Sequence, residues 1–369
     1  MHRFAFVIHP IDVKRDAGRK YPVARYLPER WVENLLKRKE PMVVSHIKGV
    51  RSLTGAEAEG WFIGCPLSPR MMLELPLDFV YRKIIRCGQI AQELGAEIIG
   101  LGAFTSVVGD GGITIAKHLQ IAVTTGNSYT VATAIEGAIL GAEKMGVPID
   151  RATVAVVGAT GSIGRTCAEA LAPQAERVLL LGRDTQRLQA VADEIGASAR
   201  GAVQVSTDLA RDLPTADVVI TVTSAVDAVI YPQDLKSGAV VVDVARPRDV
   251  SVRVARERND VLVIEGGLVQ VPGEVDFGFN FGFPPKTAYA CMSETMMLAL
   301  EGRIENFTLG KEVSLHQVEQ TQAMARKHGF KLAGFRSFER ALTEEEIATI
   351  RANAEQRRQL AQPPTPEVV

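Results

Sequence analysis

The sequence predicts an α/β protein in which an N-terminal α/β domain precedes a doubly wound parallel sheet and a C-terminal helical segment. The apolar run Val154–Val157 is followed by glycines with the spacing G-x-x-G-x-x-G, by a helical stretch and by a second apolar run, Val178–Leu181. Parallel strands that are buried on both faces need such continuous apolar runs, so this order predicts a βαβ unit. Apolar strands and amphipathic helices then alternate to about Leu268, as in a doubly wound sheet.

The glycine-rich turn of this unit is the most informative motif in the chain. Glycines at these spacings allow a tight turn and let the backbone approach a pyrophosphate at a helix N-terminus. Between a strand and a helix, the motif is typical of dinucleotide-binding Rossmann units. The alternative is a Rossmann unit that has lost its cofactor. The predicted cofactor-binding residues of the turn are Gly158, Ala159, Thr160, Gly161, Ser162, Ile163 and Gly164.

The end of the second strand indicates which dinucleotide binds. Enzymes specific for NAD usually carry Asp or Glu there for the ribose 2′-hydroxyl, whereas arginine suits the 2′-phosphate of NADP. Arg183 follows this strand and Arg187 lies one helical turn further on, so we predict NADPH as the cofactor. Asp184 keeps NAD open as an alternative, although capping the next helix is the commoner role for Asp at such a place.

Polar residues near the end of a later strand are the remaining cofactor candidates. Ligands of doubly wound sheets bind at the carboxyl ends of the strands. Thr221, Thr223 and Ser224 lie at the end of the strand that begins at Val218, and we predict that they line the nicotinamide crevice. A turn in which these hydroxyls bond to the backbone explains the pattern equally well.

The other elements follow from local patterns. Apolar runs predict strands and longer amphipathic stretches predict helices. The predicted N-terminal elements are strands at Phe4–Ile8, Met42–Val50, Trp61–Gly64, Ile98–Leu101 and Ile121–Thr124 and helices at Leu77–Leu94 and Ser128–Met145. The further strands of the doubly wound sheet are predicted at Ala202–Val205, Val218–Val222, Val240–Val244 and Val261–Ile264.

Three segments define the predicted domains. Gly146-Val-Pro148 ends a helix, which places the first boundary near residue 150. Pro284-Pro285 introduces a predicted helix to about Leu300, Thr343 and Glu346 have capping-box spacing at the last helix, and Gln362–Val369 is a predicted frayed tail. We therefore predict an N-terminal α/β substrate and catalytic domain (1–150), a Rossmann NADP-binding domain (151–270) and a C-terminal helical segment (271–369).

Composition narrows the class of protein. The 369 residues are 46% hydrophobic and 23% charged, and 42 Lys and Arg against 43 Asp and Glu give a net charge of −1. Such a balance fits a globular protein and does not favour nucleic-acid binding. Four cysteines without regular spacing, and no signal-peptide pattern, predict a cytoplasmic location and no metal site. No apolar run approaches the roughly 20 residues of a membrane span, so at most peripheral membrane contact is expected.

Cys291 lies on the predicted C-terminal helix beside the apolar residues Ala288, Met292 and Met296. From these residues alone, packing in the core is favoured, because buried free cysteines are common and inert. A position about two turns into a helix also gives a thiolate little help from the helix dipole. The pattern alone therefore does not identify a nucleophile.

Several longer segments add a resemblance to a known family. These segments are Leu101–Ser106, Thr124–Thr130, Ala152–Gly161 and Ala290–Cys291 with the following Glu294–Phe307. With them, the chain resembles the long-chain acyl-[acyl-carrier-protein] reductases best known from cyanobacteria, from its first strand to about Gly329. The resemblance implies NADPH-dependent reduction of a long-chain fatty acyl thioester to a fatty aldehyde, with acyl carrier protein or CoA as the acyl donor. It also implies that Cys291 carries the acyl group.

The chain departs from that family at Val242–Pro247, where the glycine that follows the aspartate is missing. The Phe277–Phe283 loop is also unusually rich in Phe and Gly. Both differences put the choice of substrate in doubt more than the type of reaction. A weaker kinship, at the level of the fold, links the chain to shikimate-type dehydrogenases and glutamyl-tRNA reductases, but likeness of fold alone assigns no chemistry.

The implied reaction needs hydrogen-bond donors for two successive oxyanions and apolar room for an acyl chain. The predicted catalytic residues beside Cys291 are Ser106, Asn127 and Ser128, and for Ser128 a helix-capping role is an equal alternative. The predicted substrate contacts are Phe104, Thr105 and Met292. No histidine has a spacing that identifies it as the base for Cys291, and His9 and His118 are weak candidates.

Two other functions remain open. One is a shikimate-type NADP-dependent dehydrogenase in which Cys291 is a core residue and no covalent intermediate forms. The other is a non-catalytic NADP-binding regulator. For a thioester reductase, the basic segments Arg15–Arg38 and Arg82–Arg86 are a candidate surface for an acidic carrier protein, although charged segments are usually just solvated.

Overall fold

A computed structural model of the chain describes residues 1–20, 22–280 and 282–361. These residues form two compact units. Unit 1 comprises Met1–Thr133 and Gly267–Ala333, and unit 2 comprises Ala134–Gly266 and the described residues from Gly334 onward. The segment that carries Cys291 thus lies in the same unit as the N-terminal strands. The division predicted at residues 150 and 270 stays a prediction, and the predicted tail from Gln362 lies outside the described residues.

The first part of the chain builds a mixed sheet. Its elements are β1 (His2–Ile8), α1 (Val13–Lys20), α2 (Glu29–Lys37), β2 (Met42–Arg51), β3 (Glu57–Gly64), α3 (Pro69–Glu74), α4 (Leu77–Glu93), β4 (Ile98–Gly100), α5 (Ile113–Lys117), β5 (Ala122–Thr124) and α6 (Asn127–Lys144). Strand β1 is parallel to both β3 and β4, which buries Phe4, Ala5, Phe6 and Val7. The strands and helices predicted for this region are confirmed, and their ends shift by no more than a few residues.

The middle of the chain forms the doubly wound sheet. Its elements are β6 (Thr153–Val157), α7 (Ser162–Leu171), β7 (Arg177–Leu181), α8 (Thr185–Gly196), β8 (Ala202–Ser206), α9 (Leu209–Asp212), β9 (Val218–Thr221), β10 (Val240–Asp243), α10 (Val252–Glu257) and β11 (Leu262–Glu265). All neighbouring strands are parallel, in the order β11-β10-β9-β6-β7-β8. The chain therefore winds outward in both directions from β6 and β9, which confirms the predicted Rossmann fold.

The last part of the chain contributes to both units. Its elements are β12 (Leu268–Gln270), β13 (Gly273–Asp276), β14 (Thr287–Tyr289), α11 (Ala290–Glu301), α12 (Leu315–His328), β15 (Lys331–Leu332), β16 (Arg336–Ser337), β17 (Arg340–Ala341) and α13 (Glu344–Ala361). Strand β13 pairs with β2, so the described part of the first sheet has the order β13-β2-β3-β1-β4-β5. The predicted capping box is confirmed, because Glu346 N donates to Thr343 Oγ1 and Thr343 N donates to Glu346 Oε2.

The core of unit 1 lies between its sheet and helix α4. Val80, Ile84, Cys87 and Ala91 face the sheet from α4 and are all fully buried. Across the described ranges, no helix is long and apolar enough to cross a bilayer.

Candidate active site

Cys291 is the second residue of helix α11, which corrects the prediction that it lies about two turns into a helix beginning near Pro285. Thr287–Tyr289 forms strand β14 instead, because it pairs with β12, and the helix begins only at Ala290. The first turn of a helix has backbone N–H groups without intrahelical partners and the positive end of the dipole. The first turn of α11 therefore favours a thiolate at Cys291, whereas a position two turns into a helix does not.

The exposure of the four cysteines also distinguishes Cys291. Cys65, Cys87 and Cys167 are buried, whereas Cys291 is partly exposed. A free cysteine that only fills a core has no need of solvent access. Part of Cys291 is therefore accessible to solvent, unlike the other three cysteines.

Backbone, with no intervening side chain, surrounds the Cys291 side chain on two sides. Gly126 has a φ of +75°, and a Cβ atom there would lie 2.3 Å from Cys291 Cα. A Cβ atom at Gly102 would lie 3.5 Å from Cys291 Sγ, and the next residue, Ala103, has a φ of +46°. A positive φ at a residue other than glycine is strained, and such strain clusters at functional sites.

Burial in the surrounding protein raises the pKa of the Cys291 thiol to about 12, and the negative charge of Glu294 acts in the same direction. The backbone amides of Met292, Cys291 and Ala103 oppose this change. The thiol is therefore protonated at neutral pH in this state, and the nearby amides are in place to hold a thiolate once the proton leaves.

Glu294, three residues after Cys291 and fully buried, organises the loops around the cysteine. Its Oε1 accepts hydrogen bonds from Thr124 Oγ1 at 2.5 Å and Thr308 Oγ1 at 3.2 Å, and its Oε2 accepts one from Tyr129 N at 2.9 Å. Burial raises the pKa of this carboxyl, against the effect of its donors. Glu294 thus ties α11 to the end of β5 and to the first turn of α6, on either side of Gly126.

The predicted hydroxyl donors belong to the two segments whose glycines, Gly102 and Gly126, approach Cys291, but their side chains bond to other groups of the protein. Thr105 Oγ1 donates to Gly102 O at 2.8 Å, and Ser106 Oγ donates to Ala103 O at 2.7 Å. Ser128 lies in the first turn of α6, where its hydroxyl is 2.5 Å from Thr308 Oγ1. The predicted residues Phe104, Asn127 and Met292 are buried. The catalytic and substrate-binding roles of all six residues stay predictions.

His9 supports the turn that faces Cys291. Its Nε2 accepts a hydrogen bond from Phe104 N at 3.3 Å, so the proton lies on Nδ1, which donates to Pro10 O at 3.3 Å. Burial lowers the pKa of His9 to about 4, which keeps the imidazole neutral. In the part of the chain that the structure describes, no imidazole or carboxylate forms a hydrogen bond with Cys291 Sγ, and the exposed His118 directly follows α5.

In unit 2, the turn after β6 has the geometry of a pyrophosphate cradle. Gly158 has a φ of +86°, and a Cβ atom at Gly164 would lie 2.4 Å from Gly158 O. The close approach of α7 to this turn thus requires glycine. Gly161 precedes α7 and caps it with no side chain, which leaves the N–H groups of the first helical turn for an anion. The residues present therefore fit a dinucleotide.

The residues after β7 separate the two roles suggested for Asp184. Its Oδ1 accepts hydrogen bonds from Gln186 N at 3.0 Å and Arg187 N at 3.1 Å, so it caps α8. Arg183 and Arg187 are exposed, and within the described residues neither forms an ion pair. The positive charges of Arg183 and Arg187 are thus available to a phosphate at this strand end, whereas Asp184 Oδ1 is already used to cap α8.

Asp249 organises the predicted nicotinamide-binding loop. Thr221 Oγ1 donates to Asp249 Oδ2 at 2.6 Å, Thr223 Oγ1 donates to Oδ1 at 2.5 Å and Thr223 N donates to Oδ2 at 2.8 Å. Thr223 Oγ1 also accepts a hydrogen bond from Ala225 N at 3.1 Å, so the backbone bonding that the sequence offered as an alternative is present at Thr223. Neither sequence interpretation anticipated the carboxylate of Asp249. Contact of Thr221, Thr223 and Ser224 with a cofactor stays a prediction.

The chain matches one family model and several individual proteins. The model of the family Shikimate / quinate 5-dehydrogenase matches residues 140–265. Aminotransferase PigE of Serratia sp. is 29% identical over 95% of this chain and 42% of its own length. Long-chain acyl-[acyl-carrier-protein] reductase of Synechococcus elongatus is 29% identical over 79% of this chain and 87% of its own. Glutamyl-tRNA reductase of Natronomonas pharaonis is 32% identical over 66% and 57%.

The family model and two of these relatives are named as dehydrogenases or reductases, whereas PigE is named as an aminotransferase. The chain spans less than half the length of PigE but most of the acyl-[acyl-carrier-protein] reductase. The family match falls on the doubly wound sheet, whose glycine cradle has the geometry described above. The chain thus contains a Rossmann unit of the NAD(P)-dependent oxidoreductase type.

Proposed function

We propose that this protein reduces a long-chain fatty acyl thioester to a fatty aldehyde with NADPH, through an acyl group held covalently on Cys291. One observation carries the proposal: Cys291 is partly exposed in the first turn of α11, and the backbone at Gly102 and Gly126 lies against it. The similarity to the acyl-[acyl-carrier-protein] reductase supports the choice of substrate, with an acyl carrier protein or CoA as the donor.

The proposed reaction begins at the thiol. Cys291 Sγ loses its proton and bonds to the thioester carbonyl carbon, the bond from that carbon to the donor sulfur breaks, and the donor leaves as a thiol. The amides of Ala103 and Met292 stabilise the thiolate while the proton is away. The glycine cradle would hold the pyrophosphate of NADPH, whose nicotinamide would supply the hydride that reduces the carbonyl of the acyl-enzyme. In the resulting thiohemiacetal alkoxide the bond from carbon to Cys291 Sγ breaks, the aldehyde leaves, and the Cys291 thiolate takes a proton from water.

The remaining predicted residues act around this centre. The hydrogen bonds of Thr105, Ser106 and Ser128 are proposed to fix the loops that position the backbone donors. Asn127 is the first residue of α6 and directly precedes Ser128. Phe104 and Met292 are proposed to contact the acyl chain. In unit 2, the proposed cofactor residues are those of the Gly158–Gly164 turn together with Arg183, Arg187, Thr221, Thr223 and Ser224.

A second candidate is an NADP-dependent dehydrogenase that forms no covalent intermediate. The match to the shikimate and quinate dehydrogenase family model favours it, and so does the raised pKa of Cys291. The two functions differ in whether an acyl group is ever attached to the protein.

Intact-protein mass spectrometry separates them. After mixing with a long-chain acyl thioester in the absence of NADPH, the wild-type chain is expected to gain the mass of one acyl group. Adding NADPH should remove this mass and release one equivalent of aldehyde. Cys291→Ala should gain no mass, whereas the control Cys167→Ala, which removes a buried cysteine of unit 2, should behave as wild type. NADPH oxidation that is unaffected by Cys291→Ala would exclude the thioester mechanism.

Arg183 provides a test of the cofactor. Arg183→Ser is expected to raise KM for NADPH about tenfold or more, because a charged hydrogen bond to the 2′-phosphate contributes about 1.5–3 kcal/mol. KM for NADH should hardly change, since NADH has no phosphate at that position. Steady-state kinetics with both cofactors give the result, and an equal rise in the two KM values would show that Arg183 does not read the phosphate.

A further inference from the structure

Positive charge is concentrated in one short part of unit 1. Residues 13–39 contain nine Lys and Arg but three Asp and Glu, although the whole chain has a net charge of −1. This segment forms α1, a short 3-10 turn and α2, which enclose a small apolar cluster that includes Val13, Ala24 and Val32. Seven of these nine cations have described side chains, and the segment that carries them is folded.

Helix α2 uses its two faces differently. Val32 is buried, and Glu33 accepts a hydrogen bond from Ser68 Oγ at 2.6 Å, so this face packs onto the unit. On the other face, Trp31 is 66% exposed and Leu35, one turn later, is 55% exposed. Exposed Trp next to basic residues is typical of protein interfaces, where Trp and Arg are enriched.

A groove between α2 and α4 continues this face. It has a volume of about 480 Å³ and is lined by Asn34, Lys37, Arg38, Glu40, Phe79 and Lys83. Three cations surround its Phe79 ring: Lys37 Nζ at 5.8 Å, and Arg82 Cζ and Lys83 Nζ at 5.7 Å from the ring centre. The groove therefore gathers three positively charged side chains around one aromatic ring.

Few of these cations have an acidic partner. Lys83 Nζ pairs with Glu40 at 2.7 Å. Among the residues that the structure describes, Arg30, Lys37, Arg38 and Arg82 form no ion pair. The groove thus presents positive charge that the chain itself leaves uncompensated, beside an exposed apolar stripe.

We propose that the α2–α4 surface, defined by Arg30, Trp31, Leu35, Lys37, Arg38, Phe79 and Arg82, is the docking site for a small acidic carrier protein that presents the acyl thioester. This inference rests on the proposed function, because it names where the donor of that reaction binds. A negatively charged helix of the carrier lies in the groove against Lys37, Arg38 and Arg82, and its apolar residues contact Trp31 and Leu35. Charge complementarity of this kind steers association and fixes orientation.

The concave shape favours a protein over an anionic lipid surface. A groove can enclose a helix, whereas a flat membrane contacts only its rims. Glu29 and Glu40 are exposed at the two ends of α2, and an anionic membrane would approach both carboxylates at once. A carrier helix can lie between them along the line from Trp31 to Arg38.

Helix α4 connects this surface to the loops around Cys291. Two residues after Phe79, Tyr81 accepts a hydrogen bond from Asp110 N at 3.1 Å through its hydroxyl. Gly109 fits against the same hydroxyl only because it has no side chain, since a Cβ atom would lie 1.9 Å away. The loop 107–112 follows the turn that holds Gly102 and Ala103 against Cys291. Helix α4 thus contacts, through Tyr81, the loop that directly follows the Gly102–Ala103 turn.

The test compares charge reversal at the surface with an equal reversal elsewhere on unit 1. Lys37→Glu/Arg38→Glu should raise Kd for a purified bacterial holo-acyl carrier protein at least tenfold in a titration at low salt. It should raise KM for the acyl-carrier substrate by a similar factor and leave KM for the neutral acyl-N-acetylcysteamine unchanged. Arg326→Glu/Lys331→Glu alters two exposed residues of α12 and β15 by the same charge and should behave as wild type.

The outcomes separate this inference from the proposed function. An unchanged Kd for the carrier in the Lys37→Glu/Arg38→Glu variant, while Cys291 is still acylated, would overturn the docking site alone. Failure of Cys291 to take an acyl group from either donor would reject the proposed function, and the carrier titration would still report on binding. A third outcome would reassign the surface to lipid. The wild-type chain would bind vesicles with 30% phosphatidylserine but not the carrier, and both Trp31→Ala and Lys37→Glu/Arg38→Glu would abolish binding to the vesicles.

Discussion

Gly126→Ala is expected to destabilise unit 1 by about 2 kcal/mol or more and to slow acylation of Cys291 at least a hundredfold. The φ of +75° at Gly126 alone costs an alanine roughly 1–2 kcal/mol. The new Cβ atom would also lie 2.3 Å from Cys291 Cα and 2.8 Å from Cys291 O. These are backbone atoms, so no change of rotamer relieves the overlap, and the first turn of α11 must move. A displacement of about 1 Å at a reacting group is enough to cost a hundredfold in rate.

Gly55 gives a control for the conformational part of this effect. It has a φ of +87° in the turn between β2 and β3, and a Cβ atom there would meet nothing within 4 Å. Gly55→Ala should therefore lose about 1 kcal/mol and retain acylation. Both tryptophans, Trp31 and Trp61, belong to unit 1, so urea unfolding followed by tryptophan fluorescence reports on this unit. Equal losses of stability and activity in the two variants would show that the contact with Cys291 has no special importance.

The Rossmann unit could be predicted from sequence because its signals are local. Apart from Ala202–Ser206, the strands from Thr153 to Glu265 are short, mainly apolar runs, and the turn after the first strand has glycines whose spacing reflects direct backbone contacts. The N-cap role of Asp184 was likewise visible, since a cap depends on the next three residues alone. Such patterns do not depend on where distant parts of the chain lie.

The start of α11 could not be predicted in this way. Thr287–Tyr289 has no strand signal of its own and becomes extended because it pairs with Leu268–Gln270 and extends a small sheet. Local reasoning extended the helix back to Pro285, which placed Cys291 too deep in it and weakened the case for a nucleophile. The error had a functional consequence because the first turn is the part of a helix that favours a thiolate.

Glu294 was missed for a related reason. A glutamate in a helix usually belongs to a solvated face, and the partners that bury this one come from β5, α6 and the segment around Thr308. Its sequence does contain a signal, however. Met292–Leu300 is apolar on every side of the helix apart from Ser293, Glu294 and Thr295, so its one carboxyl has to be buried and needs donors. Its position three residues after Cys291 places both side chains on neighbouring parts of one face.

Glu294→Ala is expected to destabilise unit 1 by about 3 kcal/mol, and Glu294→Gln by about 1 kcal/mol. Alanine leaves the amide of Tyr129 unsatisfied and opens a cavity beside Thr124 and Thr308. Glutamine keeps the volume, and its carbonyl can accept from Tyr129 N while its amide donates to the two threonine hydroxyls. Urea unfolding measures both losses, and similar effects of the two substitutions would show that the hydrogen bonds and the volume contribute little.

The pH dependence of the Glu294→Gln variant tests the state of the carboxyl itself. Burial raises the folded-state pKa of Glu294 above its ordinary value of 4.5, so the unfolded chain releases this proton first as the pH rises. The stability that the neutral carboxyl contributes is therefore complete below pH 4.5 and is lost as the pH rises through the folded pKa. Wild type should exceed Glu294→Gln in unfolding free energy most at acid pH, and the difference should shrink towards neutrality. A difference that instead grows with pH would mean that Thr124, Thr308 and Tyr129 stabilise a carboxylate beside Cys291. The thiol would then have to ionise next to an existing negative charge.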